Sequence, residues 1–411
     1  MIEKLIKLKQ HSVIKNSFAL FLLQLVNMVA PLMILPFLSR ALGIEGFGIF
    51  MLVMSASLIG VIISDYGFTL SGTYQISRKR EDHQAISKII GAILTIKIIL
   101  VLGIFIALLI MNNSFLNGSY SNNLIILVCL NVLAQAMIPT WFFQGIENMK
   151  RVTIYMVCAK LFYIVLVLGF VDNKDDVELV VLFLCLSNVL AMLIALYSIY
   201  SCNYSIAYPD LNEIKKQVIK STSFFLSRAA VSLYTTANTF IVGAFSGVQQ
   251  AAIFGASEKL YLASQSFTSP IAQALFPYVA KNKSSGVLFK ILPVILVPLI
   301  SGSAIVVMWS NEIMVIIFGE QFSNSGGVLQ IFICLTSINF ISVIFGYPAF
   351  AAIGRVSVAN YTVIFGAFIH LIVIVILAYI GEITAENVIR ALLFTEVMVL
   401  ISRILLFYKY K

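Results

Sequence analysis

The stretch IIGAILTIKIILVLGIFIALLIM, residues 89–111, decides the fold. It carries a single charge, Lys97, and no proline. A helix rises about 1.5 Å per residue, so this run spans the ~30 Å hydrocarbon core of a bilayer. Lys97 lies about nine residues from the basic end, roughly 13 Å deep. A charge near the midplane costs roughly 2.5–3.5 kcal/mol on insertion scales. Lys97 therefore needs a polar neighbour or a water-filled space beside it.

The pattern recurs along the chain. The 411 residues are 60% hydrophobic and 11% charged, where a soluble chain has about 45–50% apolar and 25% charged residues. Apolar runs cover about 16–38, 47–70, 89–111, 123–145, 152–171, 178–200, 218–244, 251–280, 288–309, 327–350, 357–381 and 388–408. These predict an all-α membrane protein of about twelve spans. The spans fall into two lobes of six, 1–205 and 206–411, joined through Ser201–Gln217. The first apolar run is longer than a signal h-region and lacks a small-x-small site, so it reads as a span that stays.

Two internal matches suggest a parallel repeat. Gly43-Ile44-Glu45 followed by Gly48-Ile49-Phe50 resembles Gly247-Val248-Gln249 followed by Ala252-Ile253-Phe254. Pro139-x-Trp141-x-x-x-Gly145 resembles Pro348-x-Phe350-x-x-x-Gly354. Each pair occupies corresponding places in the two halves.

Charge sets the orientation. Lys4, Lys7, Lys9, Lys15, Arg78, Lys79, Arg80, Lys88, Lys150, Arg151, Lys215, Lys216, Lys220, Lys281, Lys283, Lys290, Arg355, Lys409 and Lys411 fall on one side if both termini share it. The other side holds Arg40, Lys174 and Arg390 among many acids. The positive-inside rule places both termini in the cytoplasm. The net charge of +9 is thus a topology signal, and no basic domain for nucleic acid exists.

Several functions are excluded. No loop exceeds about 20 residues, too few for a soluble catalytic domain. No glycine precedes a lysine, so there is no P-loop. His11, His83 and His370 show no metal spacing, and the five cysteines form no metal or disulfide pattern. The sequence implies no enzyme activity, no cofactor and no metal.

Three more bases lie deep in apolar runs: Lys160, Arg228 and Lys259. With Lys97, four cations facing lipid would cost about 10 kcal/mol. A shared interior cavity is the alternative, and cations suit an anionic ligand. Arg228, Ser232, Thr235 and Thr239 form one helical stripe, and Glu258, Tyr261, Gln265 and Thr268 another. Gln24, Asn27, Asn131, Gln135, Thr336 and Asn339 add polar positions in other spans. For these neutral residues interhelical hydrogen bonding is the favoured reading. Glu258 and Lys259 diverge by about 100° on one helix, so each needs a partner elsewhere, and Arg228–Glu258 is a plausible pair. Glu396 and His370 are further titratable groups at depth, and Arg403 is expected to snorkel to the interface. Pro31, Pro36, Pro270, Pro277, Pro293 and Pro298 predict kinks.

Several stretches resemble a known family. Leu38-Ser39-Arg40-Ala41-Leu42-Gly43-Ile44-Glu45-Gly46-Phe47-Gly48, Asp65-Tyr66-Gly67-Phe68 and Pro139-Thr140-Trp141-Phe142-Phe143-Gln144-Gly145-Ile146-Glu147-Asn148-Met149-Lys150 are similar to segments of bacterial polysaccharide flippases. So are Phe225-Leu226-Ser227-Arg228, Tyr234-Thr235-Thr236-Ala237-Asn238, Ala256-Ser257-Glu258-Lys259 and Pro270-Ile271-Ala272-Gln273-Ala274-Leu275-Phe276-Pro277. The chain resembles the O-antigen translocases (Wzx type), a branch of the multidrug/oligosaccharidyl-lipid/polysaccharide superfamily. The resemblance implies a MATE-like, two-lobe transporter of the bacterial inner membrane. It implies that undecaprenyl-diphosphate-linked oligosaccharide is turned from the cytoplasmic to the periplasmic leaflet.

On that reading Arg228, Lys259, Lys97, Lys160 and Arg40 would contact diphosphate or glycan. Arg40 serves equally well as a cap on its own turn. Asp65, Glu258 and Glu396 would be coupling or structural acids. A proton or sodium ion could drive the cycle, as could removal of the product by a polysaccharide polymerase. A cation-coupled multidrug exporter is the alternative, though such a pump favours acids over bases in its cavity. A membrane polymerase or ligase would need a large outer loop, and the longest here, about Ser310–Gly326, has no Arg or His.

Overall fold

A computed structural model of the chain describes residues 2–114, 120–283 and 286–411. Side chains before residue 26, and those at 27, 28, 226–228, 230, 231, 233, 274, 277 and 282, lie outside the described set. All regular structure among the described residues is helical.

The helices are α1 (Ile2–Asp65), α2 (Phe68–Arg78), α3 (His83–Ser114), α4 (Asn122–Met137), α5 (Thr140–Gly145), α6 (Met149–Phe170), α7 (Val177–Tyr200) and α8 (Leu211–Thr236). They continue as α9 (Asn238–Ser246), α10 (Val248–Asn282), α11 (Gly286–Met308), α12 (Ser310–Phe318), α13 (Gly326–Ile344), α14 (Tyr347–Ala352), α15 (Val356–Tyr379) and α16 (Ala385–Tyr410). Nine helical segments among the described residues are long and apolar enough to cross a membrane. The outer loop expected at 310–326 is itself helical, as α12 and a 3₁₀ turn at Glu320–Phe322.

The breaks fall at glycines and tight turns more than at prolines. Helical backbone runs through Pro31, Pro36, Pro270, Pro293 and Pro298. By contrast α1 is divided at Gly43, with φ 70° and ψ 176°. Gly247, between α9 and α10, has φ 87° and ψ 171°. That backbone region is essentially open to glycine alone. Two positions matched by sequence thus share one rare conformation.

The second match is also structural, but two residues out of register. α5 and α14 are both six-residue helices following a break. Beyond α5, Glu147 is left-handed (φ 59°) and Asn148 N–H donates to Phe143 O at 2.8 Å. Beyond α14, Gly354 is left-handed (φ 70°) and Arg355 N–H donates to Phe350 O at 2.9 Å. Phe143 therefore corresponds to Phe350, where the sequence alone matched Trp141 with it.

The chain forms two compact units: residues 1–34 with 56–229, and residues 35–55 with 230–411. A single cut at 205 would divide the spans differently. Within the second unit, residues 35–55 are held against the 316–322 segment. Ile44 N–H donates to Gln321 Oε1 at 2.9 Å, Gln321 Nε2 donates to Ser39 O, and Phe47 packs on Phe318 and Phe322. Within the first unit, residues 211–229 are bound to α2. Ser71 and Ser221 share a 2.6 Å hydrogen bond, Gln75 and Gln217 exchange amide bonds, and Tyr66 stacks on Phe225 at 4.7 Å.

Candidate functional site

In the first unit, Lys97 is the deepest base, only 3% exposed on α3. Its partners follow from a backbone fault. α4 ends at Met137, two residues before Pro139, which has no N–H to donate, and carbonyls at its end lack their usual donors. Lys97 Nζ donates to Ala136 O, one of these, at 2.9 Å. Asp65 Oδ1 lies 3.8 Å from the same nitrogen. Asp65 sits where α1 turns into α2 through two left-handed residues, Tyr66 and Gly67, and accepts from Thr69 Oγ1 at 2.6 Å. Lys97 thus joins two helix breaks, neutralised by a carboxylate.

Lys160 on α6 is different. It is half-buried and makes no hydrogen bond or ion pair among the described residues. On the same helix the Tyr155 and Tyr163 hydroxyls are buried without a hydrogen-bond partner among the described residues. Trp141 Nε1 is a third such group, whereas Asn188 Nδ2 donates to Asn131 Oδ1 at 2.8 Å and Asn131 Nδ2 donates to Ser57 Oγ at 3.1 Å. Ser57 and Asn188 carry no helical stripe of their own in the sequence, and only the packing reveals their place.

In the second unit, Glu258 accepts from Thr239 Oγ1 at 2.9 Å. The two polar stripes of α8–α9 and α10 do meet, at this contact. Arg228, the expected partner of Glu258, has a side chain outside the described set. Lys259 is half-buried and, like Lys160, makes no hydrogen bond or ion pair among the described residues. The α10 stripe also meets α13: Gln265 Nε2 donates to Asn339 Oδ1 at 3.0 Å, and Ser264 bonds Thr336 at 2.9 Å. For these neutral residues the arrangement is interhelical hydrogen bonding.

A buried polar group surrounds α16. His370 Nε2 meets Asn238 Oδ1 at 2.9 Å and Nδ1 meets Thr395 Oγ1 at 3.2 Å. Next to Thr395, Glu396 has Tyr234, Asn339 and Arg403 around its carboxylate. Arg403 does not snorkel. It is 7% exposed and donates to Thr362 Oγ1 at 3.0 Å, Ser342 O at 2.7 Å and Ser342 Oγ at 2.9 Å. The snorkelling expectation fails because α13 ends at Ile344, before Pro348, and the carbonyls at its end need donors. Arg40 is exposed, and its guanidinium donates to Ile316 O in the last turn of α12. It caps the end of α12 and also donates to Pro36 O of its own turn at 3.5 Å.

A profile described as polysaccharide biosynthesis protein matches residues 13–283. The chain belongs to that family. Within and around it, the chain is 28% identical over 397 residues to a putative O-antigen transporter of Shigella dysenteriae, covering 94% of this chain and 98% of the relative. Two solved structures share the fold. One is the lipid II flippase MurJ in an inward closed conformation, with TM-score 0.71, 11% identity and coverage of 95% and 87%. The other is an inward-facing MATE multidrug transporter of the MOP superfamily, with TM-score 0.69, 13% identity and coverage of 92% and 94%. The family member described here is therefore an all-α membrane protein of MATE-like fold.

Proposed function

We propose that this polysaccharide-family protein is a flippase. It carries undecaprenyl-diphosphate-linked oligosaccharide repeat units of the O-antigen type from the cytoplasmic to the periplasmic leaflet. It works by alternating access in the bacterial inner membrane, with both termini cytoplasmic. It is a transporter and not an enzyme. The O-antigen transporter relative supports the cargo class, and the fold suits both flippases and drug exporters.

One observation favours the anionic cargo. Each of the three deep acids is engaged by protein: Asp65 by Lys97 and Thr69, Glu258 by Thr239, and Glu396 by Tyr234, Asn339 and Arg403. Lys160 has no such partner among the described residues, and Lys259 has only the charge of the neighbouring Glu258, with no hydrogen bond or ion pair of its side chain. A cation exporter would need the reverse. An unpaired ammonium at membrane depth is costly, and a diphosphate oxygen would relieve that cost with charge-assisted hydrogen bonds. Lys160 and Lys259 are therefore candidates, each within its own unit, for contact with the diphosphate, and Arg228 stays a candidate on its sequence resemblance alone. Lys97 and Arg40 are assigned to structure. Asp65, Glu258 and Glu396 are assigned to structure, and a polysaccharide polymerase would consume the product.

The test is export in a strain lacking the chromosomal copy. Lys259→Gln and Lys160→Gln should each lower surface polysaccharide about tenfold or more, consistent with loss of a charged hydrogen bond. The lipid-linked unit should accumulate in the cytoplasmic leaflet while protein levels in the membrane stay constant. Wild-type surface polysaccharide in both variants would remove the proposal.

A further inference from the structure

On its basic face the first unit holds a cleft of about 250 Å³, lined by Lys79, Asp82, Gln84, Lys88, Glu213 and Lys216. That is about eight water volumes at ~30 Å³ each, room for a diphosphate with some of its hydration shell. Three ammonium groups from two sides face two carboxylates.

Both carboxylates are already committed. Asp82 Oδ1 caps α3 by accepting from Ala85 N–H at 2.9 Å. Glu213 accepts from Lys216 Nζ at 2.9 Å and from Gln217 Nε2 at 2.7 Å. Burial alone would raise the Glu213 carboxyl, but the hydrogen bonds from Lys216 and Gln217 and the Lys216 and Lys79 charges bring it below its usual range. It stays ionised and bound to its neighbours. The Lys79 and Lys88 ammonium groups make no hydrogen bond or ion pair among the described residues, though the Lys79 charge acts on Glu213. The cleft thus presents three cations, of which Lys79 and Lys216 share their charge with Glu213 and Lys88 does not.

Its walls are fixed. The Glu213 side belongs to α8, which is bound to α2 through Gln217, fully buried against Gln75, and Ser221, fully buried against Ser71. The Lys88 side belongs to α3, where Ser87 Oγ bonds Ser205 at 3.0 Å and Ala207 N–H donates to Ser87 O at 3.2 Å. The backbone positions that carry these exposed lysines are therefore set by buried contacts. We propose that this cleft binds a phosphate-bearing anion, supplied by a lipid headgroup or by a free diphosphate. It requires the basic face to be cytoplasmic but does not depend on the cargo assigned above, so a failed export test leaves it standing.

Purified full-length protein in neutral detergent is titrated with inorganic pyrophosphate, and the thermal midpoint is followed. Wild type should show a saturable rise that weakens with added salt, because exposed charges are screened over about 8–10 Å. Lys79→Gln/Lys88→Gln should need about tenfold more pyrophosphate for half the effect. Lys79→Arg/Lys88→Arg should keep the response, and Lys281→Gln/Lys290→Gln, with the same charge change elsewhere, should match wild type. A second arm counts phosphatidylglycerol retained in mixed phosphatidylcholine nanodiscs. Enrichment in wild type that pyrophosphate displaces and the double Gln variant loses assigns the site to a lipid headgroup. Pyrophosphate binding without enrichment assigns it to a free diphosphate. If the double Gln variant titrates like wild type, or wild type responds in neither arm, the site is overturned.

Discussion

The two units solve the same mechanical problem with different chemistry. Each contains a helix that stops short of a six-residue helix: α4 before α5, and α13 before α14. Each stop leaves backbone carbonyls without helical donors. In the first unit a lysine fills the gap, with one bond to Ala136 O and a carboxylate 3.8 Å away. In the second an arginine does, with bonds to Ser342 O, Ser342 Oγ and Thr362 Oγ1. A lysine is a point charge and leans on its counter-ion; an arginine is a fork and leans on geometry. The lesson is that a cation deep in a span is no ligand site until its protein partners are counted.

The largest effect should follow from breaking the lysine version. Lys97→Met leaves Asp65 buried without its counter-ion and Ala136 O without its donor. Removal of one member of a buried pair costs about 3–5 kcal/mol. Folded yield and the thermal midpoint in detergent should both fall sharply. Lys97→Met/Asp65→Asn should recover much of the loss, since a neutral replacement of a buried pair is often tolerated. If the double variant is as unstable as the single one, the ion pair is not what holds this break.

The arginine version should fail more gently. Arg403→Lys keeps the charge but cannot reach Ser342 and Thr362 from one nitrogen in the same way. Loss of one or two satisfied bonds costs about 1–3 kcal/mol. Glu396 should remain compensated, so the thermal midpoint should fall by less than for Lys97→Met. A loss as large as that one would mean that charge placement, and not the fork, decides in the second unit too.

Much of this was legible in the sequence. Apolar run length revealed the helices, and single charges within runs revealed Lys97, Lys160 and Lys259 as positions needing explanation. Gly43 and Gly247 were legible as matched positions of the two halves, and the backbone conformation they share admits little but glycine. What periodicity could not show was partnership. Nothing near Lys97 in sequence points to Asp65, thirty-two residues away in a different helix. Arg403 read as an interface residue because its depth in a span was visible and the break at Ile344 was not. Ser57 and Asn188 were invisible for the same reason: a lone polar residue in an apolar run acquires meaning only when another helix arrives. The register of the α5/α14 match also depended on backbone shape, since two aromatic residues lie close enough in each segment to be interchanged.

That register offers the finest comparison. After α5 the left-handed residue is Glu147, and after α14 it is Gly354. A side chain in the left-handed region costs roughly 1–2 kcal/mol relative to glycine. Gly354→Ala should therefore destabilise the second unit by about 1 kcal/mol; no atom outside its immediate chain neighbours would crowd the added methyl, so the cost is conformational. The first unit already carries that cost. Glu147 offsets part of it through its 2.8 Å ion pair with Arg80, at side-chain exposures of 54% and 38%. A pair so exposed contributes only about 0–1 kcal/mol. Glu147→Gly should consequently change the thermal midpoint little, relief of the backbone roughly balancing the lost pair. A gain in stability well above the Gly354→Ala loss would show that the pair contributes nothing, and a clear loss would show that Glu147 is held there by more than Arg80.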